Sequence, residues 1–334
     1  MTSFIPSFIR YIVAGLLTAA LALSSLPAYS WDSVGHRLSA AIATHYMSDE
    51  LKSDLHEILK QHPRYQQDFL NQLPDSIAGD GFDEQFEWLL GQAAFWPDIA
   101  RGLPTGDREK YNRANWHYID GAWLRGQANI QGNSYIGKAP LPDIAGQFVS
   151  DATSAGNVMN ALDANTALLA DTETPGPQRA VALCWILHLV GDIHQPLHVG
   201  SLYSKNQFAN GDRGGNGIAT DGGNLHARWD RALRSEGVKP SRDTVLEQFG
   251  ETLQSMVYQD AADWSLWMHE SRALLLNTVY TEEMKSAIIR ADNSGTALRE
   301  FTLNSNYVET MKHHSRMRLA LAGRRLALWL DGNL

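Results

Sequence analysis

A cluster of histidines with one aspartate lies in residues 187–198, whose sequence is LHLVGDIHQPLH. His188 and Asp192 are four residues apart, so on a helix both side chains point to one face and can bind the same metal region. Pro196 ends that helix, and His198 enters the turn that follows. We predict a metal site here, because a buried apolar helix would otherwise hold several polar groups without partners.

His194 belongs to the same segment but lies on a different face of the predicted helix from His188. We therefore expect it to stay outside the metal site. A second pair, His226 and Asp230 in NLHARWD, repeats the four-residue spacing. On its own this pair is also typical of an ion pair on a helix surface.

Two upstream segments carry further candidates, although each is weak in isolation. WPDIAR contains Asp98 and Arg101, and NWHYID contains His117, Tyr118 and Asp120. Carboxylate and imidazole side chains of this kind are common metal ligands.

The first 30 residues are typical of an export signal. Arg10 is their only charge, an apolar stretch covers residues 11–23, and small residues stand at Ala28 and Ser30. An uncleaved membrane anchor is the alternative, but the stretch is short for a spanning helix. We predict cleavage after Ser30 and an exported, periplasmic or secreted protein with no stable membrane association.

Cleavage at that position would make Trp31 the first residue, with His36 five residues later. A free amino terminus and the carbonyl oxygen of the same residue can close a five-membered chelate around a metal ion. We therefore add Trp31 and His36 to the candidate ligands.

The candidate donors are nitrogen and carboxylate oxygen, without a thiolate. This set suits zinc, and iron or manganese is also compatible with it. The chain has no HExxH motif, no Walker loop and no GxSxG elbow, which removes support for a peptidase of that type, an NTPase or a serine esterase. Cys184 is the single cysteine, so an intramolecular disulfide is excluded.

The net charge of −9 argues against a broad basic groove for duplex DNA. It leaves room for a nuclease whose positive charge comes from bound metal ions.

The elements that must position these residues are predicted to be helices. Convincing alternating strands are scarce, and no linker or repeat divides the chain, so we predict one all-α, mainly helical domain over residues 31–334. A loop at 199–223, rich in Gly, Asn, Asp and Ser, is long enough to be functional. The predicted helices cover residues 33–47, 49–61, 83–94, 145–169, 177–193, 224–235, 244–258 and 306–330.

The ordered set of motifs resembles the S1/P1 nucleases, zinc-dependent single-strand nucleases and 3′-nucleotidases that are related to zinc phospholipase C. The motifs are the N-terminal Trp with a His five residues later, WPDxxR, WHYID, HLVGDIHQPLH, GGN and NLHxRWD. The resemblance covers essentially the whole chain after residue 30 and implies the helical phospholipase C/P1 nuclease fold.

By this resemblance the chain binds three zinc ions. The resemblance assigns Asp98, His117, His188 and Asp192 to one zinc, Trp31, His36 and the bridging Asp192 to a close second zinc, and His198, His226 and Asp230 to a more separated third zinc.

The resemblance also implies the reaction. Two-metal chemistry activates a water for in-line attack on phosphorus, and the products carry a 5′-phosphate. Asp98, Arg101 and Asp192 are the implied catalytic residues, with Arg101 orienting Asp98 and meeting the charge that grows on the phosphoryl oxygens. Tyr118 would stack on a nucleobase and Asp120 would bind the base edge.

Asn216 would reach the substrate from the long loop, and single-stranded DNA, RNA and nucleotides are the implied substrates. We expect a monomer. The sequence departs from the family at Asp32, where Gly is common, and in lacking disulfides. His313 and His314 match no ligand position and are predicted to lie at the surface. Residues 267–271 resemble a WAxES element that we interpret as structural.

Two other functions compete with the nuclease. A zinc phospholipase C shares the fold and nearly the ligand set, but its last carboxylate is usually Glu, whereas this chain has Asp230. A non-catalytic periplasmic zinc-binding protein would carry His-rich tracts grouped for one ion, whereas these candidates are scattered between Trp31 and Asp230.

Overall fold

The protein is mainly helical over residues 31–119, 134–136 and 156–334, which the computed structural model describes. This confirms the predicted all-α class. The helices are α1 (Ser33–His45), α2 (Asp49–Leu59), α3 (Tyr65–Asp68), α4 (Asp75–Ala78), α5 (Phe82–Ala100), α6 (Thr105–Tyr111), α7 (Val158–Ala170), α8 (Gly176–Ile193), α9 (Leu225–Asp230), α10 (Val238–Ser255), α11 (Trp264–Leu274), α12 (Glu282–Ser294) and α13 (Ser305–Asn333).

Short elements connect the helices. Strand β1 (Ser134–Ile136) pairs in parallel with β2 (Leu202–Ser204), and β3 (Ala219–Thr220) pairs antiparallel with β4 (Gly223–Asn224). Single turns of 3₁₀ helix cover Leu70–Gln72, Ala114–His117, Pro196–His198 and Tyr258–Ala261, and a π-helical turn covers Leu275–Val279.

Helix α8 lies at the centre of the molecule. Every residue of α8 from Ala182 to Ile193 is buried, which is typical of a helix enclosed by others on all sides. Helices α5 and α7 make the most extensive contacts with it, and α1, α2 and α13 complete the enclosure. Because His188 and Asp192 lie on this helix, they are held away from solvent.

Local capping explains where several site-bearing elements begin and end. The Asp32 carboxylate caps α1 one turn before His36, and the Asn224 side chain accepts a bond from the Ala227 N–H at 2.8 Å to cap α9. Pro97 occupies the last turn of α5, which ends at Ala100. These features place His36, Asp98 and His226 within one turn of a helix end.

Several predicted helix boundaries differ from the structure. Helix α9 ends at Asp230 rather than at 235, and Gly237 with φ 78° separates it from α10, which begins earlier than predicted. Residues 145–155 of another predicted helix lie outside the described residues. Helices α11 and α12 fall where no element was predicted, although the caps Asp263 and Thr281 could have indicated their starts.

Cys184 is fully buried, and burial raises the pKa of its thiol, as expected of a packing residue. Within the described ranges, no helix is both long and apolar enough to span a bilayer.

Candidate metal centre

The Asp192 carboxylate lies among four histidines that come from different parts of the chain. Its Oδ2 is 3.1 Å from His117 Nδ1 and 3.3 Å from His188 Nε2. Its Oδ1 is 3.6 Å from His36 Nε2 and 3.7 Å from His198 Nδ1. All five side chains are at most 1% exposed. One buried carboxylate therefore contacts α1, α8 and both 3₁₀ turns that carry a candidate ligand.

The ligating atoms of the candidate side chains form three close groups, and within each group these atoms lie within 4.8 Å of one another. The groups are His36, His188 and Asp192; Asp98, His117 and His188; and His198, His226 and Asp230. The fold thus brings together eight of the nine sequence-predicted ligands, and Trp31 begins the chain segment that leads into α1.

The donor atoms are spaced as metal ligands would be. Ligands about 2.0–2.1 Å from a tetrahedral zinc lie roughly 3.3 Å from each other. His188 Nε2 and His117 Nδ1 are 2.9 Å apart, and His226 Nε2 is 3.3 Å from Asp230 Oδ2. The wider 3.9 Å between His198 Nε2 and Asp230 Oδ1 is still within the range of a shared ion.

Several buried polar atoms of this centre have no hydrogen-bond partner. Buried polar groups are nearly always satisfied, so a concentration of unsatisfied ones needs a cause. A divalent cation would bind one ring nitrogen of each histidine together with the carboxylate oxygens, and the residues therefore fit a metal centre. The atoms are both ring nitrogens of His36, His117 Nε2, His198 Nε2, Asp192 Oδ1 and Asp230 Oδ2.

Backbone carbonyls hold three of the histidines in an orientation suited to metal binding. An Nδ1–H that donates to a carbonyl leaves the lone pair on Nε2, the atom that faces the carboxylates. The three bonds are His188 Nδ1 to Ala94 O at 2.7 Å, His198 Nδ1 to His117 O at 2.5 Å and His226 Nδ1 to Gly214 O at 2.7 Å.

Gly214 explains the GGN motif of the long loop. Its φ is 59°, and a Cβ there would lie 2.2 Å from the Leu197 carbonyl oxygen. Only glycine fits this position. The loop can therefore pass close enough to present the Gly214 carbonyl to His226.

The start of the described chain is held against the centre. The Trp31 indole is 1% exposed and donates from Nε1 to the Gly191 carbonyl at 2.9 Å. The Asp32 N–H donates to the Asp230 carbonyl at 3.1 Å. Residues 31 and 32 are thereby attached to α8 and α9, which carry candidate ligands.

Burial sets the charge state of the histidines. It lowers the pKa values of His36 and His117 well below the ordinary histidine value, and neighbouring cationic groups lower them further. His188 differs: burial acts downward, but Asp192 and Asp98 outweigh it and raise its pKa. Neutral imidazole is the form that binds a metal.

The pKa values of the three buried carboxyl groups shift in different directions. Burial acts to raise the pKa of Asp192, but His188 and His198 outweigh it, and the pKa lies well below the usual range. Burial, with Asp192 nearby, raises the pKa of Asp230 well above that range, although the Gln195 amide opposes this. Burial also raises the pKa of Asp98, against the opposing charge of Arg101. Bound cations would favour the ionised form of all three.

Arg101 contacts a candidate ligand directly. Its Nη2 is 2.9 Å from Asp98 Oδ1, and its side chain is 14% exposed whereas that of Asp98 is 5% exposed. The guanidinium is therefore positioned to orient Asp98 while keeping some access to solvent.

Gln195 was missed by sequence reasoning. It is fully buried, its Nε2 donates to Asp230 Oδ1 at 2.7 Å, and its Oε1 accepts from Leu197 N at 2.6 Å. A polar residue between two histidines in HQPLH was the available signal, because an amide there can orient a ligand from another helix.

Of the three residues predicted to bind substrate, the structure describes Tyr118 and Asn216. Tyr118 is half-buried beside His117. Asp120 lies outside the described residues. Asn216 donates from Nδ2 to Arg213 O at 2.9 Å, and Asn224 Nδ2 approaches its Oδ1 at 3.4 Å, so its amide lies within its own loop.

The other histidines lie apart from the centre. His194 Nδ1 donates to Val190 O at 2.7 Å, and its Nε2 is 2.9 Å from Arg325 Nη1. His313 is exposed and His314 half-buried on α13.

The WAxES-like element on α11 lies in the structural core. Trp267 is fully buried, Glu270 pairs with Arg318 and Arg325, and Ser271 Oγ donates to Ile193 O at 2.7 Å. These contacts attach α11 to α13 and to the end of α8.

Comparison with known proteins identifies the family of this chain. Residues 31–334 match the family model described as S1/P1 Nuclease. Nuclease S1 of Aspergillus oryzae is 25% identical over 325 residues, covering 94% of this chain and 94% of that protein. Endonuclease 1 of Arabidopsis thaliana is 26% identical over 309 residues, covering 90% and 86%. Nuclease P1 of Penicillium citrinum is 22% identical over 312 residues, covering 90% and 97%.

Proposed function

This chain belongs to the S1/P1 nuclease family and is a nuclease, a hydrolase of phosphodiester bonds; we propose that it is an exported endonuclease whose active form holds three zinc ions. The proposed substrates are single-stranded DNA and RNA, cleaved to 5′-phosphate products, with 3′-nucleotidase activity on nucleotides.

One observation carries the zinc proposal: six buried polar atoms without a hydrogen-bond partner belong to the sequence-predicted ligands His36, His117, Asp192, His198 and Asp230. The three close groups of side chains described above support these ligand sets. His188 belongs to two of the groups, and the family resemblance assigns it to the zinc that Asp98 and His117 bind. The proposed sets are Asp98, His117, His188 and Asp192; Trp31, His36 and Asp192; and His198, His226 and Asp230.

The residues of the chain have distinct tasks in this proposal. When bound, the zinc ions would supply Lewis-acid stabilisation of phosphoryl oxygens and lower the pKa of a water molecule. The Asp192 carboxylate lies 3.1–3.7 Å from ring nitrogens of four histidines, where it could serve two ions. Arg101 orients Asp98 through the 2.9 Å contact and offers positive charge to the phosphoryl group in the transition state.

Substrate selection follows from the residues after His117. Tyr118 would stack on a base and Asp120 would accept hydrogen bonds from its edge, which requires an unstacked base and hence a single strand. Asn216 would contact the substrate from the long loop. These three roles rest on the matched motifs.

Export and activation are linked in the proposal. Removal of residues 1–30 would free the Trp31 amino group, so a chain that keeps them would lack one ligand. The family match begins at residue 31, which supports this boundary.

A single preparation tests the proposal. Protein exported from cells is purified, its N-terminus is sequenced, and its metal content is measured by mass spectrometry. We expect a start at Trp31, about three zinc ions per chain, and cleavage of single-stranded oligonucleotides far faster than of duplexes. Turnover of phosphatidylcholine vesicles without cleavage of single strands would refute the nuclease substrate, and three zinc ions without either activity would favour a zinc-binding protein.

A further inference from the structure

Asp32 and Arg234 form an ion pair that joins the start of the described chain to the segment after α9. Arg234 Nε lies 2.6 Å from Asp32 Oδ2, and the two side chains are 56% and 6% exposed. The carboxylate is thus enclosed while the guanidinium covers it from the solvent side. The contact is a charge-assisted hydrogen bond, which is short and directional.

The other groups of Asp32 are also engaged. Its Oδ1 accepts from Val34 N at 3.0 Å and Gly35 N at 3.2 Å, which caps α1. Its N–H donates to Asp230 O at 3.1 Å. One residue therefore contacts the helix that carries His36, the backbone of Asp230 and the Arg234 side chain.

The place of the first mature residue depends on such contacts. A chain end has a covalent neighbour on one side only, and fixing one residue costs roughly 1–2 kcal/mol of conformational entropy. The Trp31 indole supplies one attachment through Gly191. Asp32 supplies the next attachments along the chain.

Arg234 also balances the negative charge that Asp32 brings to the edge of the metal centre. The backbones of Asp32 and Asp230 are joined by a 3.1 Å hydrogen bond, so a further acidic residue lies beside the carboxylate ligands. A negative charge beside a cluster of carboxylates is unfavourable in the metal-free protein unless a cation balances it. Arg234 provides that cation at the outer edge of the cluster.

We propose that Asp32 and Arg234 are positioning residues, which fix the mature N-terminus at the metal centre and attach it to Asp230. The proposal rests on the proposed function, because it presumes that the Trp31 amino group is a ligand. Arg234 is largely exposed, so the pair adds little to stability by itself. Its effect is expected in metal affinity, since residues that orient ligands commonly change affinity by about 10–100-fold.

The experiment compares mature proteins with Asp32→Asn, Asp32→Ala, Arg234→Gln and Arg234→Lys. Asparagine keeps a helix cap but removes the charge, and lysine keeps the charge. Arg231→Gln is the matched control, since Arg231 is exposed three residues earlier in the same segment. Zinc affinity is measured by competition with a chromophoric chelator, and stability by thermal melting in EDTA.

We expect Asp32→Ala to weaken one of the zinc sites about tenfold and Arg234→Gln to weaken the same site by about threefold to tenfold. Arg234→Lys should restore most of the affinity, and Arg231→Gln should match the wild type. The kcat on a short oligonucleotide should fall in parallel at limiting zinc, with KM unchanged.

Two results separate the possible failures. Variants that melt earlier in EDTA but bind zinc like the wild type would overturn the inference, because the pair would then be only structural. A wild type that binds no zinc would instead refute the proposed metal centre itself.

Discussion

His36 and His188 stack face to face, with ring centroids 3.8 Å apart and ring planes inclined by 15°. One ring comes from α1 and the other from α8, and both approach the Asp192 carboxylate. Two protonated imidazoles at this separation would repel each other, and burial holds the pKa of His36 well below its usual value. The stack therefore requires at least one neutral ring, which is the ligand form of histidine.

Asp192→Asn should abolish activity and release at least one zinc ion per chain. The amide presents one oxygen instead of two, whereas the carboxylate now contacts histidines through both oxygens. Metal content by mass spectrometry and initial rates on a single-stranded oligonucleotide measure the effect. Asp54→Asn, an exposed site on α2, is the control. Full activity with three zinc ions retained would refute the bridging role.

His194 and His188 should respond differently to the same substitution. His188→Gln should lower zinc content and rate together. His194→Gln should leave the zinc content unchanged while reducing the free energy of unfolding by about 1–3 kcal/mol, because the Arg325 contact and the Val190 bond are disturbed. Urea denaturation and metal analysis of both variants check this. Loss of zinc in the His194 variant would contradict the placement of His194 outside the metal centre.

Arg101→Gln should reduce kcat by about 10²–10³-fold, the usual effect of removing one transition-state donor. Zinc content should change little, since Asp98 is only oriented by the 2.9 Å contact. Arg101→Lys should recover part of the rate, because it keeps the charge but loses the planar geometry. If Arg101→Gln has the kcat of the wild type, Arg101 takes no part in the reaction.

The metal-free protein should become less stable as the pH falls below about 6.5. Buried histidines with lowered pKa values bind fewer protons folded than unfolded, so their stability is complete above the unfolded pKa and is lost below it. These histidines are His36, His62, His117 and His194.

His188, Asp98 and Asp230, with raised pKa values, act in the opposite direction but are fewer. Urea denaturation in EDTA between pH 8 and 5 measures the balance. Each net proton contributes about 1.4 kcal/mol per pH unit. A flat profile would show that the two sets cancel, contrary to this prediction.

Asp230→Asn should have opposite effects with and without metal. Burial raises the pKa of this carboxyl, so its ionised form is unfavourable in the metal-free protein above that pKa. The amide oxygen can still accept from Gln195. In EDTA at neutral pH the variant should gain on the order of 1 kcal/mol of stability. With zinc present it should lose both metal and activity, and a loss of stability in EDTA would contradict the reasoning.

The spacing of residues along the chain was sufficient to predict contacts within a single helix. The four-residue intervals His188–Asp192 and His226–Asp230 predicted side chains on one helix face, and the structure places these pairs 3.3 Å apart. The helical class followed equally from periodicity, since each helix must bury one apolar stripe. Exclusion of His194 from the centre followed from the same geometry.

Other relationships depended on the tertiary structure, because they join residues that no local pattern connects. The meeting of His36 with His188, the Gln195 bond to Asp230 and the Asp32–Arg234 pair each arise from the packing of separate helices around α8. Asp32 shows the difference most plainly. As a sequence departure it only added negative charge beside the predicted N-terminal ligand, whereas in the folded chain that charge caps α1 and is paired with Arg234, since folding brings a cation from the segment after α9 to meet it.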